Sequence, residues 1–215
     1  MTTLIFIRHG YSTNNASGCY TGQLDAPLNE LGVAQAVQLA DYLCANLRID
    51  AAYASDLSRA VETLRPTAER LGLVLHTDPA LRELDVGKWT GVPYAKVAEL
   101  YPADFANYKK DVNAPCTGGE STADACRRIW DAVERILQRE EGKTVAICSH
   151  ALACRLLACL ADGANITRIM AYPAPANASL SIYDYNSENG KLSARVEDFT
   201  EHLKTITRMS HTKLV

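Results

Sequence analysis

The sequence predicts an α/β fold, a three-layer sandwich with a mostly parallel central sheet and helices on both faces. Short apolar runs of strand length recur at residues 4–7, 51–54 and 144–148. Between them lie longer stretches whose apolar residues repeat at helical spacing. Strand and helix therefore alternate, which is the pattern of a parallel sheet covered on both sides.

The first strand, Thr3-Leu4-Ile5-Phe6-Ile7, runs straight into Arg8, His9 and Gly10. The loop over residues 11–28 is long for a strand-to-helix connection, and such loops are often functional. Asn29 is a good N-cap with Glu30 in the first turn. The helix it starts has Val33, Ala36, Val37, Ala40, Leu43, Cys44 and Leu47 on its expected apolar face. A second strand over 51–54 leads through Ser55 and Asp56 to a helix that carries Arg59 and ends near Leu71. Val74, Leu75 and His76 read as a third strand, and residues 81–89 as irregular backbone. Pro93, Pro102 and Pro115 mark residues 92–118 as a helical insertion that caps the active site. Ser121 and Asp124 fit a capping box, and Cys126, Ile129, Trp130, Val133, Ile136 and Leu137 share one face of the helix that follows. The strand over 144–148 ends at Ser149 and His150, and the next helix carries Leu152, Leu156, Leu157 and Leu160. Residues 179–185 alternate as a strand does, residues 192–196 read as another, and roughly the last ten residues read as a loose tail.

The bulk composition narrows the function. The 215 residues suit one domain, 1–215, with a full core. With 47% hydrophobic and 22% charged residues, the chain has the composition of a soluble globular protein. A formal net charge of −3 argues against a nucleic-acid partner. No apolar run approaches the ~18 residues that span a bilayer, and no signal peptide precedes the first strand. Seven cysteines without CxxC spacing fit reduced thiols in the cytoplasm. A monomer or homodimer is expected.

The chemistry gathers at strand ends. In open α/β sheets ligands bind beyond the carboxyl ends of the strands. The first strand delivers Arg8 and His9, the second leads to Arg59, and the 144–148 strand delivers His150. If these strands are parallel neighbours, two guanidiniums and two imidazoles converge, and only an anion relieves their repulsion. A phosphoryl group is the natural anion, because its oxygens accept several charge-assisted hydrogen bonds. Histidine can serve as nucleophile, and Glu83 in the irregular segment is the best proton donor. A cation would be repelled by Arg8, and no HxH, HExxH or aspartate cluster suggests a metal site.

In an ordered set of blocks the chain resembles the histidine phosphatase superfamily, which includes cofactor-dependent phosphoglycerate mutase. Arg8-His9-Gly10 stands at the family's RHG signature and Asn15 at its spaced asparagine. Tyr20-Thr21-Gly22, Asp25, Pro27-Leu28, Gly32 and Gln35-Ala36 are similar to the next block. Ser55-Asp56-Leu57-Ser58-Arg59-Ala60 with Thr63 resembles the second-arginine block, and Leu81-Arg82-Glu83 with Gly87, Trp89 and Gly91 the acid block. Gly118-Gly119-Glu120-Ser121 resembles the GGES of many phosphatases, and Ser149-His150 the second-histidine block. The chain departs from the family at Tyr11, where glutamate is common, at Thr21, where many phosphatases have glutamine, and at Ala151, where glycine usually follows the histidine. All three border the leaving-group side.

The resemblance implies a phosphoglycerate mutase-like fold and a metal-independent phosphatase of the phosphatase branch, with no metal and no organic cofactor. It implies that His9 becomes a phosphohistidine and that Arg8, Arg59, Asn15 and His150 hold the phosphoryl oxygens. Glu83 would protonate the leaving oxygen and then activate water. Thr21, Gly22 and Ala151 would border the bound phosphate of a small phosphorylated metabolite. The alternatives are a phosphoglycerate mutase, an α-ribazole phosphatase-like enzyme and a non-catalytic phospholigand-binding module. The 92–118 segment favours hydrolysis: Lys96, Lys109 and Lys110 are balanced by Glu99, Asp104 and Asp111, and Tyr94, Tyr101, Phe105 and Tyr108 suit an open, partly apolar pocket. The Lys109-Lys110 pair is the one feature there that could grip a second acid group.

Overall fold

The computed structural model describes residues 1–203, so the expected tail over the last residues lies outside the described part of the chain. Six strands form one sheet in the order β3-β2-β4-β1-β5-β6. They are β1 (Thr2–Arg8), β2 (Ala51–Ala54), β3 (Leu75–Thr77), β4 (Thr144–Ser149), β5 (Leu180–Asn186) and β6 (Lys191–Phe199). β1 to β4 run parallel, and β5 and β6 add an antiparallel edge. The helices are α1 (Thr13–Ser17), α2 (Glu30–Asn46), α3 (Ser58–Leu71), α4 (Tyr94–Leu100), α5 (Pro102–Lys110), α6 (Thr122–Arg139) and α7 (Ala151–Ala161).

The period of two along each strand builds the layers. Leu4, Phe6, Val145 and Ile147 point to one face, where they pack with Ile129, Val133 and Ile136 of α6 and Leu156 and Leu157 of α7. Ile5, Ile7, Ala146 and Cys148 point to the other, against Leu39 and Leu43 of α2 and Ala60 and Leu64 of α3. These central strands are buried on both faces, which is why they read as unbroken apolar runs. Cys148 is a small core residue with no exposure.

Some expectations shift. The buried stripe of α2 is Gln35, Ala36, Leu39, Ala40 and Leu43, whereas Val33 and Val37 are 53% and 41% exposed. The stripe is rotated because Gly32 and Gln35 must face the turn after β1. β3 begins at Leu75, leaving Val74 exposed. The long loop hides a short helix, α1, closed by a capping box of Ser12 and Asn15. At α6 only half of the expected box forms: Ser121 accepts from the Asp124 amide, but the Asp124 carboxylate takes the Ser121 hydroxyl instead of a backbone N–H.

The turn after β1 is pressed directly on α2. Tyr11 N–H donates to Gln35 Oε1 at 2.8 Å, and a Cβ on Gly32 would sit on the Tyr11 carbonyl. Gly32→Ala is therefore expected to cost about 1–3 kcal/mol of stability, as an overpacked contact does, and to lower activity by shifting the turn. Denaturant unfolding of the purified variant measures this, and an unchanged midpoint would contradict the close approach.

Candidate active site

The strand order makes β2, β4 and β1 parallel neighbours, so their ends meet at one edge. His9 continues the ladder past β1, its N–H donating to the Ser149 carbonyl at 3.0 Å. The Gly10 N–H donates to Thr63 Oγ1 at 2.8 Å, and the Thr63 hydroxyl donates to the Arg59 carbonyl at 2.6 Å. The turn that bears His9 is thus tied to the helix that bears Arg59. From the other side Asn177 Nδ2 donates to the carbonyls of His9 (3.0 Å) and Gly10 (3.3 Å) and to Asn15 Oδ1 (3.2 Å). The sequence reading missed Asn177, which belongs to no block and lies in a loop before β5.

The His9 ring is buried with Nδ1 2.7 Å from the Gly10 carbonyl oxygen. A carbonyl can only accept, so Nδ1 carries a proton, and in the neutral ring Nε2 holds the lone pair. The His150 ring lies against it, centroids 5.1 Å apart and planes at 60°. His150 is fully buried and neither ring nitrogen has a hydrogen-bond partner. Burial first, then the neighbouring Arg59, His9 and Arg8, holds its pKa well below the ordinary 6.5, so the ring is neutral.

Both arginines are buried and held by carbonyls. Arg59 donates from Nη1 to Leu24 O (2.8 Å) and from Nη2 to Gly22 O (3.0 Å). Arg8 Nη1 donates to Pro175 O. Burial lowers both pKa values, but a guanidinium starts too high to lose its proton near neutrality. The carboxyl of Glu83 supports the charged form of both arginines.

Glu83 reaches this edge from the irregular segment after β3. Its Oε1 accepts the Leu84 N–H at 2.9 Å and its Oε2 accepts the Ala151 N–H, at the start of α7, at 3.1 Å. The segment is clamped. Arg128 of α6 donates to the carbonyls of Ala80 (2.9 Å), Arg82 (3.0 Å) and Glu83 (3.3 Å), and pairs with Glu120 at 2.5 Å. Glu120 in turn accepts the Asp85 N–H at 2.9 Å. A Cβ on Gly119 would strike the Asp85 carbonyl, so the glycine pair of the GGES block admits this close approach. Asp56 and Arg82 form a bidentate pair at 2.7 and 2.5 Å that ties the segment to the end of β2.

These groups surround a cavity of about 290 Å³. Arg8, His9, Asn15, Thr21, Gly22, Arg59, Glu83 and Ala151 all line it; His150 does not, and stands behind His9. Tyr94 and Tyr108 of the 92–118 segment form part of its wall together with Tyr20. Tyr101 and Phe105 pack on the core instead, and Lys109 lies over the Phe105 ring at 4.9 Å, away from the cavity. The sequence reading also missed Arg155, one turn along α7 from Ala151. Among the described residues no three His, Cys, Asp or Glu side chains group as metal ligands, and no helix is long and apolar enough to cross a membrane.

A floor of paired imidazoles and paired guanidiniums at the carboxyl edge of a doubly covered sheet, faced by one carboxyl, defines a histidine phosphatase. The chain belongs to the histidine phosphatase superfamily (branch 1), which it matches over residues 4–198. It is 32% identical over 183 residues to phosphoserine phosphatase 1 of Hydrogenobacter thermophilus, covering 85% of this chain and 86% of that one. It is also similar in structure to Bacillus stearothermophilus YhfR, with a TM-score of 0.86, 26% identity and coverage of 94% of this chain and 100% of that one. The mycobacterial glucosyl-3-phosphoglycerate phosphatase Rv2419c matches with a TM-score of 0.82, 28% identity and coverage of 92% and 99%. Other curated relatives are longer, and the chain spans 55% of some of them. The phosphatases among these relatives support a phosphoric monoester hydrolase of this family.

The neutral His150 gives the unliganded protein a defined response to acid. The unfolded chain binds a proton at this residue near pH ~6.5, whereas the folded site resists it. Stability is therefore full above pH ~6.5 and falls as pH drops below it, by up to ~1.4 kcal/mol per pH unit. The pKa of His202 is also lowered, by burial, but its slope is common to both proteins in a comparison with His150→Gln. Urea unfolding of the two between pH 5 and 7.5 should show the steeper loss only in the wild type. Parallel curves would contradict a neutral buried ring.

Proposed function

We propose that the enzyme hydrolyses phosphomonoesters through a phosphohistidine on His9. The observation that carries this reading is the tautomer of His9: its Nδ1–H is committed to the Gly10 carbonyl, which leaves a lone pair on Nε2 beside two buried guanidiniums. Nε2 attacks phosphorus, the N–P bond forms, and the P–O bond to the leaving group breaks. Arg8, Arg59 and Asn15, which line the cavity, hold the phosphoryl oxygens as charge moves across them, and His150, neutral against the His9 ring, adds no charge of its own. Glu83, in its acid form, gives its proton to the leaving oxygen. A water then attacks phosphorus, Glu83 takes its proton, the N–P bond breaks, and His9 returns with its lone pair restored.

No step requires a metal, since fixed guanidiniums supply the charge. Hydrolysis is favoured over phosphoryl return to the substrate because Lys109 and Lys110 stand outside the cavity and tyrosines form its wall. The cytoplasm is the compartment that suits seven free thiols.

Glu83→Gln tests the division of labour. It should slow hydrolysis of alkyl phosphates about 100-fold or more, while p-nitrophenyl phosphate, whose leaving group needs little protonation, loses about tenfold or less. Steady-state rates on both esters decide it, and equal losses would argue against Glu83 as the acid.

A further inference from the structure

One cationic group in the cavity has no task in this chemistry. Arg155 stands on the same face of α7 as Ala151, one turn further along, or about 6 Å on the axis. Its Nε is buried with no hydrogen-bond partner, and its Nη1 has only the sulfur of Met170, at 3.6 Å. No acid pairs with it among the described residues, although most other arginines of helices α3 to α6 that face acids do pair, as Arg128 does with Glu120. It lines the cavity together with Tyr20, Tyr94 and Tyr108 of the aromatic wall and Arg8 and His9 of the floor. A half-buried guanidinium with an unused N–H, facing a cavity, is a built receptor for a planar anion.

We infer that Arg155 binds a carboxylate on the leaving group, so that the substrates are phosphomonoesters of small carboxylic acids. The inference rests on the phosphatase reading above. The phosphoryl group takes the floor, where Arg8, His9 and Arg59 line the cavity. The remaining charge is a single guanidinium, which matches one singly charged carboxylate in the bidentate geometry that fork and carboxylate share. A second phosphate carries nearly twice that charge and finds no second cation, because Lys109 and Lys110 stand outside. Tyr20 and Tyr94, edge to face at 4.8 Å and backed by Trp89, form a firm apolar wall along the carbon skeleton between the two anions.

Matched esters test the inference in the wild-type enzyme. L-phosphoserine should be favoured over phosphoethanolamine, which lacks only the carboxylate, by about 10- to 100-fold in kcat/KM, the effect of a charged hydrogen-bonded pair. In Arg155→Met that ratio should collapse toward one, chiefly through a higher KM for phosphoserine, and Arg155→Lys should keep part of it. A wild-type ratio near one, or a ratio that survives Arg155→Met, overturns the carboxylate assignment. So does a preference for a bisphosphate without a carboxylate, such as fructose 1,6-bisphosphate. If the wild type releases phosphate from p-nitrophenyl phosphate but shows no preference, only this inference fails. If it releases phosphate from no ester, the phosphatase reading fails with it.

Discussion

The protein depends on keeping like charge in a buried place. Two guanidiniums meet two imidazoles at the floor of one cavity, and Arg59 and His150 are almost wholly out of water. At an effective dielectric of ~20, unit charges 4 Å apart still interact by ~4 kcal/mol. Backbone carbonyls help to hold these charges. The Gly22 and Leu24 carbonyls hold Arg59, and that of Pro175 holds Arg8. The two loops that supply these carbonyls are shaped by this task. His150 eases this crowding by remaining neutral.

A second constraint concerns the carboxyl that faces this floor. Glu83 lies on backbone that is neither helix nor strand, so its position has to be fixed from outside. Arg128 grips three successive stretches of that backbone, Glu120 holds Arg128, and Asp56 holds the neighbouring Arg82. The GGES block, none of whose residues lines the cavity, thereby becomes a brace for Glu83. Its glycine lets the two backbones meet, and its glutamate completes the ion pair.

Much of this was legible in the sequence because burial on two faces writes itself as unbroken apolar runs. β1, β2 and β4 were read that way, and with them the convergence of Arg8, His9, Arg59 and His150. Glu83 stands out in the sequence because it lies in an irregular stretch and in the block that resembles the family's acid block. What escaped the reading was fixed by tertiary contact alone. Val33 and Val37 fit a helical stripe but are exposed, since the contact of Gly32 with Tyr11 sets the rotation of α2. Asn177 and Arg128 look like ordinary polar residues, and only the backbone carbonyls they reach reveal their work. Arg155 lies on a helix whose neighbours are apolar, and its lack of a partner cannot be seen without the fold.

The central claim is that His9 carries the phosphoryl group between two displacements. Rapid quenching of the enzyme with a ³²P-labelled ester, followed by mapping of the labelled peptide, tests it directly. The account predicts a label on His9 that is stable to base and lost in acid, that forms before phosphate is released, and that builds up when Glu83 is replaced by Gln. Turnover at the full rate with no label on His9, or with full activity in a folded His9→Ala protein, would contradict it.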